Sequence, residues 1–165
     1  MSDKKTDPVR QTDDAARALA RKLLQEARFA ALAVLEPQTG FPLASRIAFG
    51  LDGAGCPVFL ASGLSFHSKA LLVDGRASIM VGEPGKGDPL AHPRMTLIGR
   101  ISCIDRGSPR CDALRQPWLK QHPKSALYID FGDFHFFAMQ VERANLNGGF
   151  GKAYVLEPQD LAISV

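Results

Sequence analysis

The sequence contains no apolar run approaching the roughly 20 residues that a membrane-spanning helix requires. It opens on "MSDKKTDPVRQTDD", which is charged and polar where a secretory signal of the usual form carries an apolar stretch. Cysteine is scarce: Cys56, Cys103 and Cys111 make an odd count of 3 with no C-x-x-C pair. That count speaks against a disulfide framework, and a reduced, cytoplasmic setting is the expectation. No His/Cys spacing makes a zinc set, so no metal is expected. Charge of one sign is also missing. Twenty basic residues against 17 acidic ones leave a formal charge of +3, spread over mixed-sign segments, and no nucleic-acid partner is expected.

Glycine and lysine do gather near the end of the chain, in "NLNGGFGKAY" (Asn145 to Tyr154). A Walker-type loop would need a glycine five residues before the Gly-Lys pair and Ser or Thr after it. Leu146 and Ala153 stand in those places. A dinucleotide fingerprint fails too, because Tyr154 occupies the third glycine position after Gly149 and Gly151. The stretch is therefore either a tight turn after a strand or a backbone shaped for close approach to a ligand.

At 165 residues the chain suits one domain able to bury roughly two-thirds of its unfolded surface. Met1 to Gln11 is expected to fray, leaving residues 12–165 as the domain. From Thr12 an amphipathic helix is predicted, with Ala16, Leu19, Ala20, Leu23, Leu24 and Ala27 on one face and Thr12 or Asp13 as its cap. Packing on a core is favoured over membrane or partner binding, since that face is Ala and Leu.

Short apolar runs follow: "FAALAVLE" (Phe29 to Glu36), "FPLASRIAFG" (Phe41 to Gly50), "PVFLAS" (Pro57 to Ser62), "RASIMVGE" (Arg76 to Glu83) and "RMTLIGRISCID" (Arg94 to Asp105). Turn chemistry bounds each of them. "FHFFAMQVERANL" (Phe134 to Leu146) is one more strand. Regular spacing and short connections predict a mainly β protein with peripheral helices, an antiparallel sheet or small barrel of about six strands. Between the last two strands, "SPRCDALRQPWLKQHPKSALYI" reads as helical, broken at Pro117 and Pro123.

That order of elements, together with "PLASRIAFGLD", "VFLASGLSFHSKALLVDGRASIMV", "RMTLIGRI" and "FGDFHFFAMQVERANLNGGFGKAY", resembles the pyridoxamine 5'-phosphate oxidase-like flavoproteins. These are the FMN-binding split barrels, and the haem-utilisation branch is the nearest in texture. The resemblance runs from about Ala27 to Val155. It implies a six-stranded antiparallel split barrel and a homodimer with FMN in a groove between subunits. The phosphate, close to dianionic, needs cations and converging donors. The resemblance gives that role to Arg46, with the backbone of Ile47, Ala48 and Phe49 along the isoalloxazine edge.

A second group follows a strand end at Ala61 and Ser62. Ser65, His67, Ser68 and Lys69 supply hydroxyl, imidazole and ammonium donors at the start of a short helix. The oxidase proper has an adjacent Arg-Lys pair in this loop; here Phe66-His67 stands in its place and the charge moves to Lys69. The expectation is accordingly a flavoprotein with an unassigned substrate rather than pyridoxamine phosphate oxidation. The resemblance also places Lys152 near the partner's flavin.

No residue has the spacing of an obligatory acid, base or nucleophile, so catalytic residues are unassigned and the redox chemistry belongs to the cofactor. The three cysteines read as inert thiols, His92 and His122 as loop residues, and His135 as packing or interface. Two alternatives remain. One is haem binding or haem degradation on the same barrel, with His67 or His135 as iron ligand; haem-linked members carry a C-terminal extension. The other is a flavin-binding dimer without catalysis.

Overall fold

The computed structural model describes residues 7–164. Part of the expected tail, residues 1–6, lies outside that range. From Asp7 onward the chain is tied down, for Val9 forms a parallel bridge to Ala153 and the Arg10 N–H donates to the Ala153 carbonyl at 2.8 Å.

Helix α1 spans Asp14–Glu26. Asp13 caps it, its carboxylate accepting from the Ala16 N–H at 2.8 Å, which satisfies one of the orphan donors at a helix start. Its apolar stripe turns inward: Ala16, Ala20 and Leu24 are buried, and Leu19, Leu23 and Ala27 pack beside them. Arg17 and Arg21 then fasten the helix to the far end of the chain, donating to the Asp160 carboxylate at 2.7 Å and the Asp160 carbonyl at 2.9 Å.

One antiparallel sheet carries the rest. Its strands are β1 (Phe29–Leu35), β2 (Pro42–Ala48), β3 (Gly50–Leu51), β4 (Pro57–Ser62), β5 (Arg76–Val81), β6 (Arg94–Cys103), β7 (Phe134–Asn147) and β8 (Ala153–Leu156). They pair in the order β2-β1-β5-β6-β7-β4-β3, with β8 also on β7. The six expected strands are all present. The sheet nevertheless has eight, because the very short β3 and β8 are added; two and four residues give too little alternation to be seen in sequence. The sheet curls until β2 and β4 lie side by side without exchanging ladder bonds. That unzipped seam makes it a split rather than closed barrel.

Burial follows the pleat. In β1, Ala30, Leu32 and Val34 face the core, while Phe29, Ala31, Ala33 and Leu35 face outward. β4 is different: Val58 to Ala61 are all buried, and α3 (Pro109–Gln121) lies near its outer side, where Leu60 shares a cleft with Cys111 and Arg115. Trp118 of α3 meets Phe136 edge-on at 5.4 Å and donates its indole N–H to Ser125 Oγ at 3.1 Å.

The expected break at Pro117 does not occur. Pro117 lies inside α3 on the solvent side, where water can serve the carbonyl that a proline leaves without a donor. The helix stops before Pro123, which opens a 3₁₀ turn (Pro123–Leu127). Between β6 and β7 the register shifts at Ile98/Gly99, leaving Glu142 as the extra residue of a bulge. A Cβ at Gly99 would stand 2.1 Å from the Gln140 carbonyl oxygen, so only glycine fits this crossing.

Candidate cofactor site

One edge of β2 has no ladder partner. The N–H of Phe49 donates to the Arg28 carbonyl at 2.9 Å, and that of Glu36 to the Phe41 carbonyl at 2.9 Å. With the β1–β2 register, these two bonds set the phase of the ladder: odd-numbered residues of β2 bond to β1, even-numbered ones point away. β2 has no other neighbour in the sheet. The N–H and C=O groups of Ala44, Arg46 and Ala48 therefore line an edge without ladder partners, the one that faces β4 across the seam. Of the backbone expected to meet a ring, Ala48 has its groups free. Ile47 and Phe49 are turned to β1, with side chains in the core.

Arg46 stands on the outward face of β2, its guanidinium 5.8 Å from the ring centroid of Phe29, within cation–π range. It heads a cross-strand row that continues through Ala31, Met80, Thr96, Asn145 and Val155. Around Arg46 lies an open groove of about 510 Å³, floored by Ala31 and Ala44 and walled by Phe29, Met80 and the Gly82–Pro84 loop. Small side chains leave room for something flat, and Arg46 provides a charge at its rim.

The second expected donor group points elsewhere. α2 (Phe66–Val73) is capped by Ser65, whose Oγ accepts from the Ser68 N–H at 3.3 Å and donates to the Ser62 carbonyl at 2.8 Å. Ser68 is fully buried, its Oγ 2.8 Å from that of Ser65. Ser62 donates to the Asp133 carboxylate, and Ala61 is buried. His67 lies on the inner side of β2, with Nδ1 3.2 Å from Ser45 Oγ. Its Nε2 is buried with no partner among the described residues, and burial pushes its pKa below the usual imidazole value. Lys69 is exposed, lining a separate hollow with Glu36, Leu43 and Phe66.

Ser45 and Arg46 are consecutive residues of one strand and so face opposite sides of it. In one protomer no contact joins Arg46 to Ser65, His67, Ser68 or Lys69 among the described residues. The hydroxyls of that loop serve its own cap.

Lys152 belongs to another part of the sheet. It sits in the hairpin between β7 and β8, closed by Gly148 N–H to the Lys152 carbonyl at 2.8 Å and Lys152 N–H to the Gly149 carbonyl at 3.2 Å. Gly149 and Gly151 have φ of +119° and +66°, so the glycines serve a tight turn. Along the sheet, strands β1, β5 and β6 lie between this hairpin and β2.

Of the other sequence candidates, His135 lines a small cleft with Arg106, Cys111 and Arg115, and His122 Nε2 meets the Phe49 carbonyl at 2.9 Å. Burial raises the pKa of the Cys56 and Cys103 thiols. Among the described residues no set of three His, Cys, Asp or Glu side chains converges as a metal site, and no helix is long and apolar enough to cross a membrane. Phe29, Ser45, Met80 and Asp133 were not singled out from sequence. Only strand alternation marked Phe29 and Met80 as sharing the face of Arg46, and that needs the register.

Residues 10–161 match the family described as CREG, beta-barrel. The chain belongs to that family. Within this family and its split-barrel neighbours, three relatives are informative. The chloroplastic non-canonical heme oxygenase HOZ of Arabidopsis thaliana is 30% identical over 118 residues, which cover 70% of this chain and 35% of that protein. A heme binding protein from Mycobacterium smegmatis superposes with a TM-score of 0.79 at 32% identity, over 93% of this chain and 61% of its own. A Clostridium acetobutylicum protein related to general stress protein 26, of the pyridoxinephosphate oxidase family, gives 0.68 at 12% identity over 91% and 99%. This last likeness supports the fold, which is that of the pyridoxamine 5'-phosphate oxidase-like split barrels. The chain spans about a third of the plant relative's length and under two-thirds of the mycobacterial one.

Proposed function

We propose that this protein is a flavoprotein that binds FMN in the Arg46 groove, as a homodimer, and uses it as an oxidoreductase. One observation carries the reading: unpaired backbone groups of Arg46 and Ala48 lie beside the Arg46 guanidinium and a floor of alanines. A flavin ring needs hydrogen-bonding partners along one edge, an apolar surface under its plane and a cation for its phosphate arm. The edge of β2, Ala31 with Ala44, and Arg46 answer these needs in turn.

The part played by Ser65, His67, Ser68 and Lys69 is narrower than their sequence suggested. Ser65 and Ser68 hold the start of α2, and His67 supports β2 from within through Ser45. Lys69 is free to reach an anion beyond the β2 edge. Along the sheet β1, β5 and β6 stand between β2 and the hairpin that carries Lys152, so Lys152 would serve this site from the partner subunit. When bound, FMN supplies hydride or single-electron transfer; the chain contributes orientation along β2, charge at Arg46 and exclusion of water by the alanine floor and the partner.

The second reading is haem binding, favoured by the two relatives named for heme, at 30% and 32% identity. The same groove suits it in part: Arg46 would meet a propionate, the alanines a porphyrin plane, and Met80 offers a thioether at the wall. The experiment is a pair of titrations on apoprotein. FMN fluorescence quenching that saturates at micromolar or lower concentration, with no Soret shift on adding hemin, supports the flavin reading. A saturable Soret shift without flavin quenching replaces it with haem.

A further inference from the structure

Arg76 of β5 and Arg100 of β6 are direct Cα partners. The neighbouring pair is hydrogen-bonded, the Ile101 N–H donating to the Gly75 carbonyl at 2.7 Å. Arg76 and Arg100 therefore form a non-hydrogen-bonded pair, in which opposing side chains come closest. Two like charges at such a position destabilise a sheet. Both side chains are 61% exposed and stand on the outward face, the same face as Arg46.

Their acidic neighbours relieve this unequally. Asp74 grips Arg76, accepting from Nε at 3.1 Å and Nη2 at 2.6 Å. Glu142, the bulged residue of β7, comes only within 3.7 Å of Arg100 Nε, too long for a good hydrogen bond. The Nη groups of Arg100 have no partner among the described residues. Between the arginines and β1 lies a groove of about 400 Å³ with Ala33, Ser78 and Gly99 at its base. It adjoins the Arg46 groove, since Ala33 and Ala44 pair directly across β1 and β2.

We propose that this groove is a second anion site, which takes a small flat organic acid with its carboxylate on Arg100 and Arg76 and its ring over Ala33 and Ser78. An arginine fork left open receives a planar carboxylate through two parallel bonds, and the anion screens the two guanidiniums from each other. The small base residues, with Ile98 opposite Ser78 and Pro42 beside them, leave a surface on which a flat ring can lie. An acid so held extends toward the Arg46 groove, where a substrate would have to lie to reach a cofactor. The site itself is independent of which cofactor, flavin or haem, occupies that groove.

The test is calorimetric titration of the full chain with 2-naphthoate, and separately with inorganic phosphate, using wild type, Arg100→Gln and Arg46→Gln. Arg100 is exposed, so the folded state of its variant is checked by an unchanged circular dichroism spectrum. The expected result is saturable 2-naphthoate binding, weakened about tenfold or more in Arg100→Gln, as loss of a charge-assisted bond implies, and within about twofold of wild type in Arg46→Gln. Phosphate binding more weakly than 2-naphthoate shows that the ring contributes. The inference is overturned if wild type does not bind 2-naphthoate, or if Arg46→Gln rather than Arg100→Gln abolishes binding. It is also overturned if Arg100→Gln changes only the oligomeric state, which would make this face an interface between copies. FMN titration of Arg100→Gln separates the two proposals: unchanged FMN affinity leaves the cofactor reading standing whatever the acid does.

Discussion

Ser45 Oγ lies 3.2 Å from His67 Nδ1, and this contact joins the edge strand β2 to the first turn of α2. It also explains how adjacent residues come to serve different ends. Ser45 holds the strand from inside while Arg46 stands over Phe29 outside.

His67 should make stability depend on pH. Burial lowers its folded-state pKa below the usual 6.5, so the unfolded chain takes up the proton more readily. Stability from this group is full above the unfolded pKa and falls as pH drops through that value, levelling off below the folded pKa. His122 is shifted the same way, mainly by burial. Urea denaturation at pH 7.5 and 5.5 should show a lower midpoint at 5.5, and His67→Leu should shrink that difference without abolishing it.

Arg46 tests the cofactor groove directly. It is exposed, so Arg46→Ala should alter folding stability by no more than about 0.5 kcal/mol. Its loss from an anionic ligand should cost about 1.5–3 kcal/mol of binding, roughly tenfold or more in Kd. Equal Kd values for FMN in variant and wild type would remove the groove from consideration.

Gly99 tests the bulge. Its Cβ position, 2.1 Å from the Gln140 carbonyl oxygen, is occupied by backbone that cannot give way without opening the β6–β7 ladder. Gly99→Ala should destabilise by about 3 kcal/mol or more, seen as a large drop in Tm. Gly53→Ala, where nothing lies within 4 Å, is the matched control and should change little.

Asp74 offers a check at acid pH. The Arg76 guanidinium beside it, with the Arg76 N–H, holds its carboxyl down to about 2. Its contribution is present above the ordinary carboxylate value and disappears as pH falls through about 2. NMR titration of the Asp74 side-chain carbon should find a midpoint well below the ordinary carboxylate value of 3.8.

Much of this molecule was legible in one dimension, because it depends on local periodicity. The stripe of α1, the six principal strands and the turns between them follow from alternation and turn residues that each segment carries itself. The start of α2 after Ser62 was legible for the same reason. Three things were not. Pro117 was taken as a break because sequence does not show which side of α3 faces water. β3 and β8 were too short to alternate. Ser62, Ser65 and Ser68 were grouped with Arg46 on the family resemblance, which does not show that within one protomer their hydroxyls are taken up by local bonds. Residue order determined the strands and their faces. Tertiary structure alone decided that Arg46 and His67 stand on opposite sides of β2, that the even-numbered backbone groups of β2 lack ladder partners, and that Arg76 meets Arg100. Register and curl are properties of strand pairs, set by contacts between segments far apart in the chain.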